Sequence, residues 1–278
     1  MKNNTPITLT IAGNDASGGA GIAADLKTFT EYGTYGISAL TTIATMDPKN
    51  NWKHGVTAIE ASVVRDQLET ATAGPEIAAL KTGMLPNVSV IKVIAESIKK
   101  NNLKNIVIDP VMVCKGEDEV LNPENAEALR DILTPLATVV TPNLFEAGQL
   151  SGLGTLKDLE DMKKAAEIIH SSGAKYVVVK GGRALEGDQA IDLFYDGNEF
   201  TVLETEKVAP AFNHGAGCTF AAAITSGLAH GMEPKQAVMR AKDFVTSAIQ
   251  HGFEYNQWIG PVFHSAHRVK NNQNILED

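Results

Sequence analysis

Residues 7–32 read ITLTIAGNDASGGAGIAADLKTFTEY. Ile7–Ala12 reads as a buried first strand. Ala20–Tyr32 reads as a helix, with Ile22, Leu26, Phe29 and Thr30 on one stripe. Between them lies a glycine-rich turn, Gly13–Gly21. A strand that passes through such a turn into a helix is the opening unit of a parallel sheet.

The same alternation runs outward along the chain. Strands are expected at Gly36–Thr45, Ala78–Thr82, Ile106–Asp109, Thr138–Thr141 and Tyr176–Lys180. Helices are expected at Val88–Lys100, Ala126–Leu133, Asp158–Ser171, Cys218–His230 and Pro234–Gln250. Gln189–Phe194 and Glu199–Glu204 flank Asp196-Gly197-Asn198, a hairpin turn. Short apolar strands between helices predict an α/β fold with a mostly parallel central sheet and helices on both faces. No segment reads as a linker or repeat, so one domain over residues 1–278 is expected.

Composition narrows the function classes. Of 278 residues, 24 are Lys or Arg and 33 are Asp or Glu, a formal net charge of -9. That balance argues against a nucleic-acid surface. No apolar run reaches the roughly 18 residues of a membrane span. Two cysteines cannot staple a chain of this size, so a reducing cytoplasm is expected.

Five segments carry candidate chemistry, most of them just past strand ends, where open α/β sheets hold ligands. In the first, Gly19, Gly21 and Ala24 fit a dinucleotide-type glycine pattern. The expected acid at the end of the second strand is missing, and a plain tight turn fits equally well. The second, Asn213-His214-Gly215-Ala216-Gly217-Cys218-Thr219, opens a helix. Its backbone N–H groups would form an anion hole. Cys218 near the helix start is expected to have a depressed thiol pKa; the plainer reading is a buried small hydrophobe.

In the third, Asn143 and Glu146 sit three apart after a strand. They read either as phosphate-side Mg²⁺ ligands or as N-cap and capping-box partner. In the fourth, Asp109 ends a strand and Cys114 opens the polar loop Lys115–Glu119. In the fifth, Lys180 ends the strand before Gly181-Gly182 and could meet a nucleotide phosphate. His170, His230, His251, His264 and His267 are scattered without metal-ligand spacing. The tail after Arg268 is polar.

Taken in order, these blocks resemble the ribokinase superfamily, in its branch of hydroxymethylpyrimidine kinases and pyridoxal-kinase relatives. The matching stretches are Ala12–Thr28, Lys81–Leu85 (KTGML), Asp109–Val113 (DPVMV), Thr141–Glu146 (TPNLFE), Val179–Gly182 (VKGG), His214–Thr219 (HGAGCT) and Gly260-Pro261. Dedicated pyrimidine kinases carry a glutamine where Met46 stands here. Thr45-Met46-Asp47-Pro48, Trp52 with His54, and Val113-Cys114-Lys115-Gly116 are more similar to the Gram-positive pyridoxal kinases of this branch.

The resemblance implies a ribokinase-like fold and an ATP-dependent kinase acting on the hydroxymethyl group of pyridoxal, in vitamin B6 salvage. Pyridoxine, pyridoxamine and hydroxymethylpyrimidine would be further substrates, and thiamine-pathway hydroxymethylpyrimidine kinase is the alternative. Gly215, Gly217 and Cys218 would form the anion hole. Cys218 would capture the aldehyde and act as a thiolate base, with Cys114 or His214 relaying the proton. Asn143, Glu146, Lys180, Gly181, Gly182 and Gly217 would serve ATP, and Asp109 with Glu146 would hold Mg²⁺. Asp25 would hydrogen-bond the ring, with Met46, His54, Met84 and Val111 around it. A monovalent cation is a further cofactor the resemblance allows. The implied partner is a small B6 vitamer, with no nucleic acid and no membrane, and the implied assembly is a homodimer.

Two other classes share parts of this pattern. A nicotinamide-dependent oxidoreductase would use Gly19–Ala24, and a non-catalytic binding protein would use the same pocket.

Overall fold

The computed structural model describes residues 5–112, 123–209 and 212–270. Among them, nine strands form one sheet. In chain order they are β1 (Ile7–Asp15), β2 (Tyr35–Asp47), β3 (Lys53–Ala58), β4 (Ile77–Thr82), β5 (Ile106–Ile108), β6 (Val139–Val140), β7 (Tyr176–Gly182), β8 (Gln189–Tyr195) and β9 (Phe200–Glu206). Their spatial order is β3-β2-β1-β4-β5-β6-β7-β8-β9. The six strands from β2 to β7 run parallel; β3, β8 and β9 add antiparallel edges. The chain order reverses direction at β1, between β2 and β4, which creates the crevice that such sheets use for ligands.

The helices are α1 (Gly21–Glu31), α2 (Ala61–Thr72), α3 (Val88–Lys100), α4 (Pro123–Ala128), α5 (Leu144–Ser151), α6 (Leu159–Ser171), α7 (Ala216–Ala229), α8 (Pro234–Gln250) and α9 (Ala266–Lys270). No helix among the described residues is long and apolar enough to cross a membrane. Strand alternation sorts the core onto the two sheet faces. Leu80, Ile106, Ile108, Val140, Val177 and Val179 pack with α3 and α6. Ala79, Val107, Val139 and Val178 pack with α7 and α8.

Most expected elements form, two of the helices with the predicted bounds. The sequence reading gave no bounds for β3, α2, α5 and α9, though it offered Asn143 as the N-cap of a helix. Lys53–Ala58 has few apolar residues and is mostly exposed, so burial leaves no mark on it. The helix expected at Ala126–Leu133 is α4 followed by a π-helical turn, Leu129–Leu133. The stripe on α1 also differs. Ile22, Ala24, Asp25, Thr28 and Phe29 are buried, while Thr30 is exposed. A carboxylate on that face needs a partner, and β4 supplies it.

Lys81 lies on the α7 side of β4, two residues after Ala79. Its Nζ meets Asp25 Oδ1 at 2.7 Å and Oδ2 at 2.9 Å, with both side chains fully buried. Thr10 Oγ1 donates to Asp25 Oδ2 at 2.6 Å. Burial works against the Lys81 charge, but the Asp25 carboxylate, with Asp109 behind it, outweighs that and holds the ammonium protonated. Lys81→Met would leave Asp25 buried and unpaired, a change that costs about 3–5 kcal/mol. Urea denaturation should show that loss, and adding Asp25→Asn should recover part of it. Equal stability of wild type and Lys81→Met would mean the pair contributes nothing.

The first turn of α7 is tied to the chain end. Thr219 Oγ1 donates to Gly215 O at 2.9 Å and pairs with His264 Nε2 at 3.0 Å. Burial and the Lys27 charge push His264 down to about 4, from an ordinary 6.5. Between those values the unfolded chain binds a proton that the folded chain refuses. The contribution of His264 is therefore complete above pH 6.5 and lost as pH falls towards 4. His264→Gln should flatten the decline of Tm across that window. An unchanged slope would show that His264 titrates normally.

Candidate active site

The C-terminal ends of the central strands open into a cavity of about 540 Å³. Asn14 and Asp15 come from the end of β1, Asp109 and Val111 from the exit of β5, and Lys180 from β7. Asn143, Phe145 and Glu146 follow β6. The start of α7 contributes His214, Gly215, Gly217 and Cys218. Met46 and His54, paired across β2 and β3, cover one side with Met84 beside them. A second cavity of about 350 Å³ is lined by Gly181, Gly182, Asp192 and Lys242. Asn143, Lys180 and Gly217 line both.

The two spaces meet at the first turn of α7. Gly215 is its N-cap, in the left-handed region at φ 82°. A Cβ there would strike Gly19 O, so glycine is required on two counts. No side chain caps the helix. Helix geometry leaves the N–H groups of Gly217 and Cys218 without intrahelical acceptors, and they favour an anion.

Cys218 does not have the depressed pKa expected of it. Burial pushes its thiol up to about 11. Lys81 opposes the rise, and so does a hydrogen bond from the Gly21 N–H, while Asp25 and Asp109 reinforce it. Loss of solvation, reinforced by two carboxylates, outweighs the helix start, so the resting group is a thiol.

Asp109 and Glu146 are 2% and 4% exposed. Asp109 Oδ1 accepts from Lys180 Nζ at 2.9 Å and from Thr141 Oγ1 at 3.2 Å. Glu146 Oε2 accepts the Asn143 N–H at 2.8 Å, and Asn143 Oδ1 accepts the Glu146 N–H at 2.9 Å. This is a complete capping box on α5. The structural reading of this pair therefore holds, and the boxed carboxylate also lines the cavity. Burial raises the Glu146 carboxyl, the Asp109 charge adds to this, and Lys180 opposes it. Burial disfavours the Lys180 charge, yet Asp109 and Glu146 prevail and keep it protonated.

Two buried carboxylates beside one ammonium suit a hard cation. Mg²⁺ commonly takes one or two carboxylates and completes its shell with phosphate oxygens and water. The donor set of Asp109 and Glu146 fits that pattern. The described residues contain no group of three or more His, Cys, Asp or Glu able to form an all-protein cage.

Of the residues expected at the site, His214, Gly215, Gly217, Cys218, Asn143, Glu146, Lys180, Asp109, Met46, His54, Met84 and Val111 line the first cavity. Gly181 and Gly182 line the second. Asp25 does not line either: it is fully buried, and its carboxylate is occupied by Lys81 and Thr10. Cys114 and the loop Lys115–Glu119 lie outside the described residues, as does the tail 271–278. Gly19 and Gly21 belong to a tight strand-to-helix turn, as the plainer reading had it. Asp15, Asn14, Phe145 and Lys81 were missed. Lys81 lies in the KTGML stretch, whose spacing assigns it no chemistry, and Asp15 lies inside the glycine pattern.

Comparison with known proteins bears on this geometry. Residues 15–263 match the family model described as phosphomethylpyrimidine kinase. A pyridoxine kinase of Bacillus subtilis is 56% identical over 261 residues, covering 94% of this chain and 96% of the relative. The pyridoxal kinase of Staphylococcus aureus, solved in complex with AMP-PCP and pyridoxal, superposes with a TM-score of 0.90 at 53% identity over 95% of each chain. A hydroxymethylpyrimidine/phosphomethylpyrimidine kinase of Bacillus subtilis is a more distant relative, 37% identical over 258 residues, or 93% of this chain and 94% of that one. With matches over nearly its whole length and a ribokinase-like sheet, the chain belongs to the phosphomethylpyrimidine kinase family.

Proposed function

We propose that this protein is an ATP-dependent pyridoxal kinase of vitamin B6 salvage. It transfers the γ-phosphoryl group of ATP to the hydroxymethyl group of pyridoxal, with pyridoxine, pyridoxamine and hydroxymethylpyrimidine as further substrates. The observation that carries this reading is the meeting of two cavities at one uncapped helix start, through Asn143, Lys180 and Gly217. An alcohol in the first space and a nucleotide in the second would face each other across donors suited to a transferring phosphoryl group.

The division of labour follows from the side chains. Asn143, Lys180, Gly181 and Gly182 would hold the nucleotide, with Gly217 between nucleotide and alcohol. Asp109 and Glu146 would hold Mg²⁺, which when bound neutralises phosphate charge. Met46, His54, Met84 and Val111 would enclose the ring. Cys218 would hold the aldehyde carbon: its sulfur bonds to that carbon and the thiol proton passes to the aldehyde oxygen. A resting thiol suits that addition better than it suits a resting base. In a loose phosphoryl-transfer transition state the attacking hydroxyl loses its proton late, so no resting thiolate is required. Cys114 would assist proton movement. The chain would act in the cytoplasm, where both thiols stay reduced, and as a homodimer.

The alternative substrate is hydroxymethylpyrimidine. Met46 cannot supply the amide hydrogen bonds that would read its ring nitrogen and amine, and such contacts discriminate strongly. Turnover on both alcohols separates the readings. Pyridoxal should show the higher kcat/KM by about tenfold or more, and the reverse order would favour the thiamine-pathway role.

Cys218→Ala should abolish turnover on pyridoxal while ADP affinity, by calorimetry, stays near wild type. Near-normal turnover in that variant would remove the cysteine from the chemistry. Cys114→Ala should slow turnover less, and an unchanged rate would exclude a relay through that thiol.

A further inference from the structure

The glycine-rich turn after β1 is one half of a clasp. Asp15 and His214 lie 199 residues apart in sequence, yet His214 Nε2 donates to Asp15 Oδ2 at 2.6 Å. The two residues are 5% and 7% exposed. Each is also fixed from its own side. Asp15 Oδ1 accepts the Ser17 N–H at 2.8 Å, and Oδ2 accepts the Ser17 hydroxyl at 2.8 Å and the Ala20 N–H at 3.0 Å. The His214 N–H donates to Gly260 O at 3.0 Å, and its carbonyl accepts the Val262 N–H at 3.2 Å. Gly19 packs so closely on the imidazole that a Cβ would collide with Cδ2. Burial by itself would raise the Asp15 carboxyl; the bonds from His214 and Ser17 outweigh it and hold the group below its ordinary range.

The position of this contact gives it a role. His214 precedes Gly215, the N-cap of α7, and Cys218 follows one turn later. The turn that holds Asp15 leads into α1 at Gly21, whose N–H reaches the Cys218 sulfur. The donors at the start of α7 are thus referenced to the wall of the first cavity by this buried hydrogen-bonded pair. Among the described residues no hydrogen bond joins His214 to Cys218. The Nε2–H of the imidazole is already committed to a carboxylate, which fits a strut better than a relay.

We propose that Asp15 and His214 form a positioning pair that sets the phosphoryl-binding start of α7 against the alcohol cavity, acting on turnover and not on nucleotide affinity. This rests on the kinase reading above. A misplacement of about 1 Å at a reacting centre can cost about 100-fold in rate, so a strut remote from the transferred atoms can carry a large effect.

The test is a set of variants assayed on pyridoxal with saturating and limiting ATP. His214→Ala and Asp15→Ala should each lower kcat about 30–100-fold, with the KM for ATP changed less than about threefold. The double variant should be no slower than the slower single, because the two groups act as a unit. His214→Gln keeps an N–H within reach of Asp15 but cannot titrate, and it should recover most of the rate lost in His214→Ala. A His214→Gln variant as slow as His214→Ala would overturn the proposal and assign the imidazole to proton transfer. Multiplicative losses in the double variant, or a raised KM for ATP with unchanged kcat, would overturn it as well. If Asp15→Ala does not fold, Asp15→Asn, which keeps an acceptor for the imidazole N–H, should like His214→Gln retain most of the rate, and a loss as large as that of His214→Ala would overturn the proposal. Should wild type phosphorylate hydroxymethylpyrimidine and not pyridoxal, the same ratios are read on that alcohol. Only a wild type that phosphorylates neither defeats the kinase reading itself.

Discussion

One helix has to satisfy two opposed demands. From Thr219 to Leu228 every residue of α7 is buried against the sheet and its neighbouring helices. Its first turn, by contrast, lines both cavities. The alanines Ala221 and Ala223 meet the first demand, since small side chains let the helix lie close to Ala79, Val107, Val139 and Val178. Gly215 and Gly217 meet the second by leaving backbone donors uncovered. Most of the site is arranged around that change of environment.

Charge follows the same logic. The chain is acidic overall, yet the region around Cys218 holds one fully buried and one half-buried lysine, each paired with a carboxylate: Lys81 with Asp25 and Lys180 with Asp109. The first pair is sealed beneath α7; the second lines the cavities. Their different access to ligand explains how similar pairs serve different ends. The sealed pair is a fixed part of the core, while an open pair can exchange partners when a phosphate or cation enters.

Sequence periodicity revealed the parallel strands because burial on both faces leaves a continuous apolar record, as in Val177–Val179. It missed β3, whose residues are mostly exposed and leave no such record. It placed Asp109, Asn143, Lys180 and Cys218 at strand and helix ends, where the fold brings them together. It could not place Asp25, because a carboxylate on a helix reads as solvent-facing unless its partner is known. That partner, Lys81, is 56 residues away on another element. The Asp15–His214 contact was illegible for the same reason. The thiol of Cys218 shows a third kind of miss: the local motif suggested an activated cysteine, and burial beside two acids reversed the sign.

The hairpin of β2 and β3 stands apart from this machinery. Met46 and His54 are register partners on it, at the margin of the sheet, and both face the first cavity. The phosphate-side residues lie on β7, just past β5, and at the starts of α5 and α7. Substitutions on the hairpin can therefore reshape the cavity wall while the sheet that aligns the anion hole stays intact. A lineage could explore new ring-shaped alcohols through a few edge positions and never pass through a form that has lost its phosphoryl-transfer apparatus. The one restriction is parity: a shift of the hairpin by a single residue would turn both side chains to the opposite face.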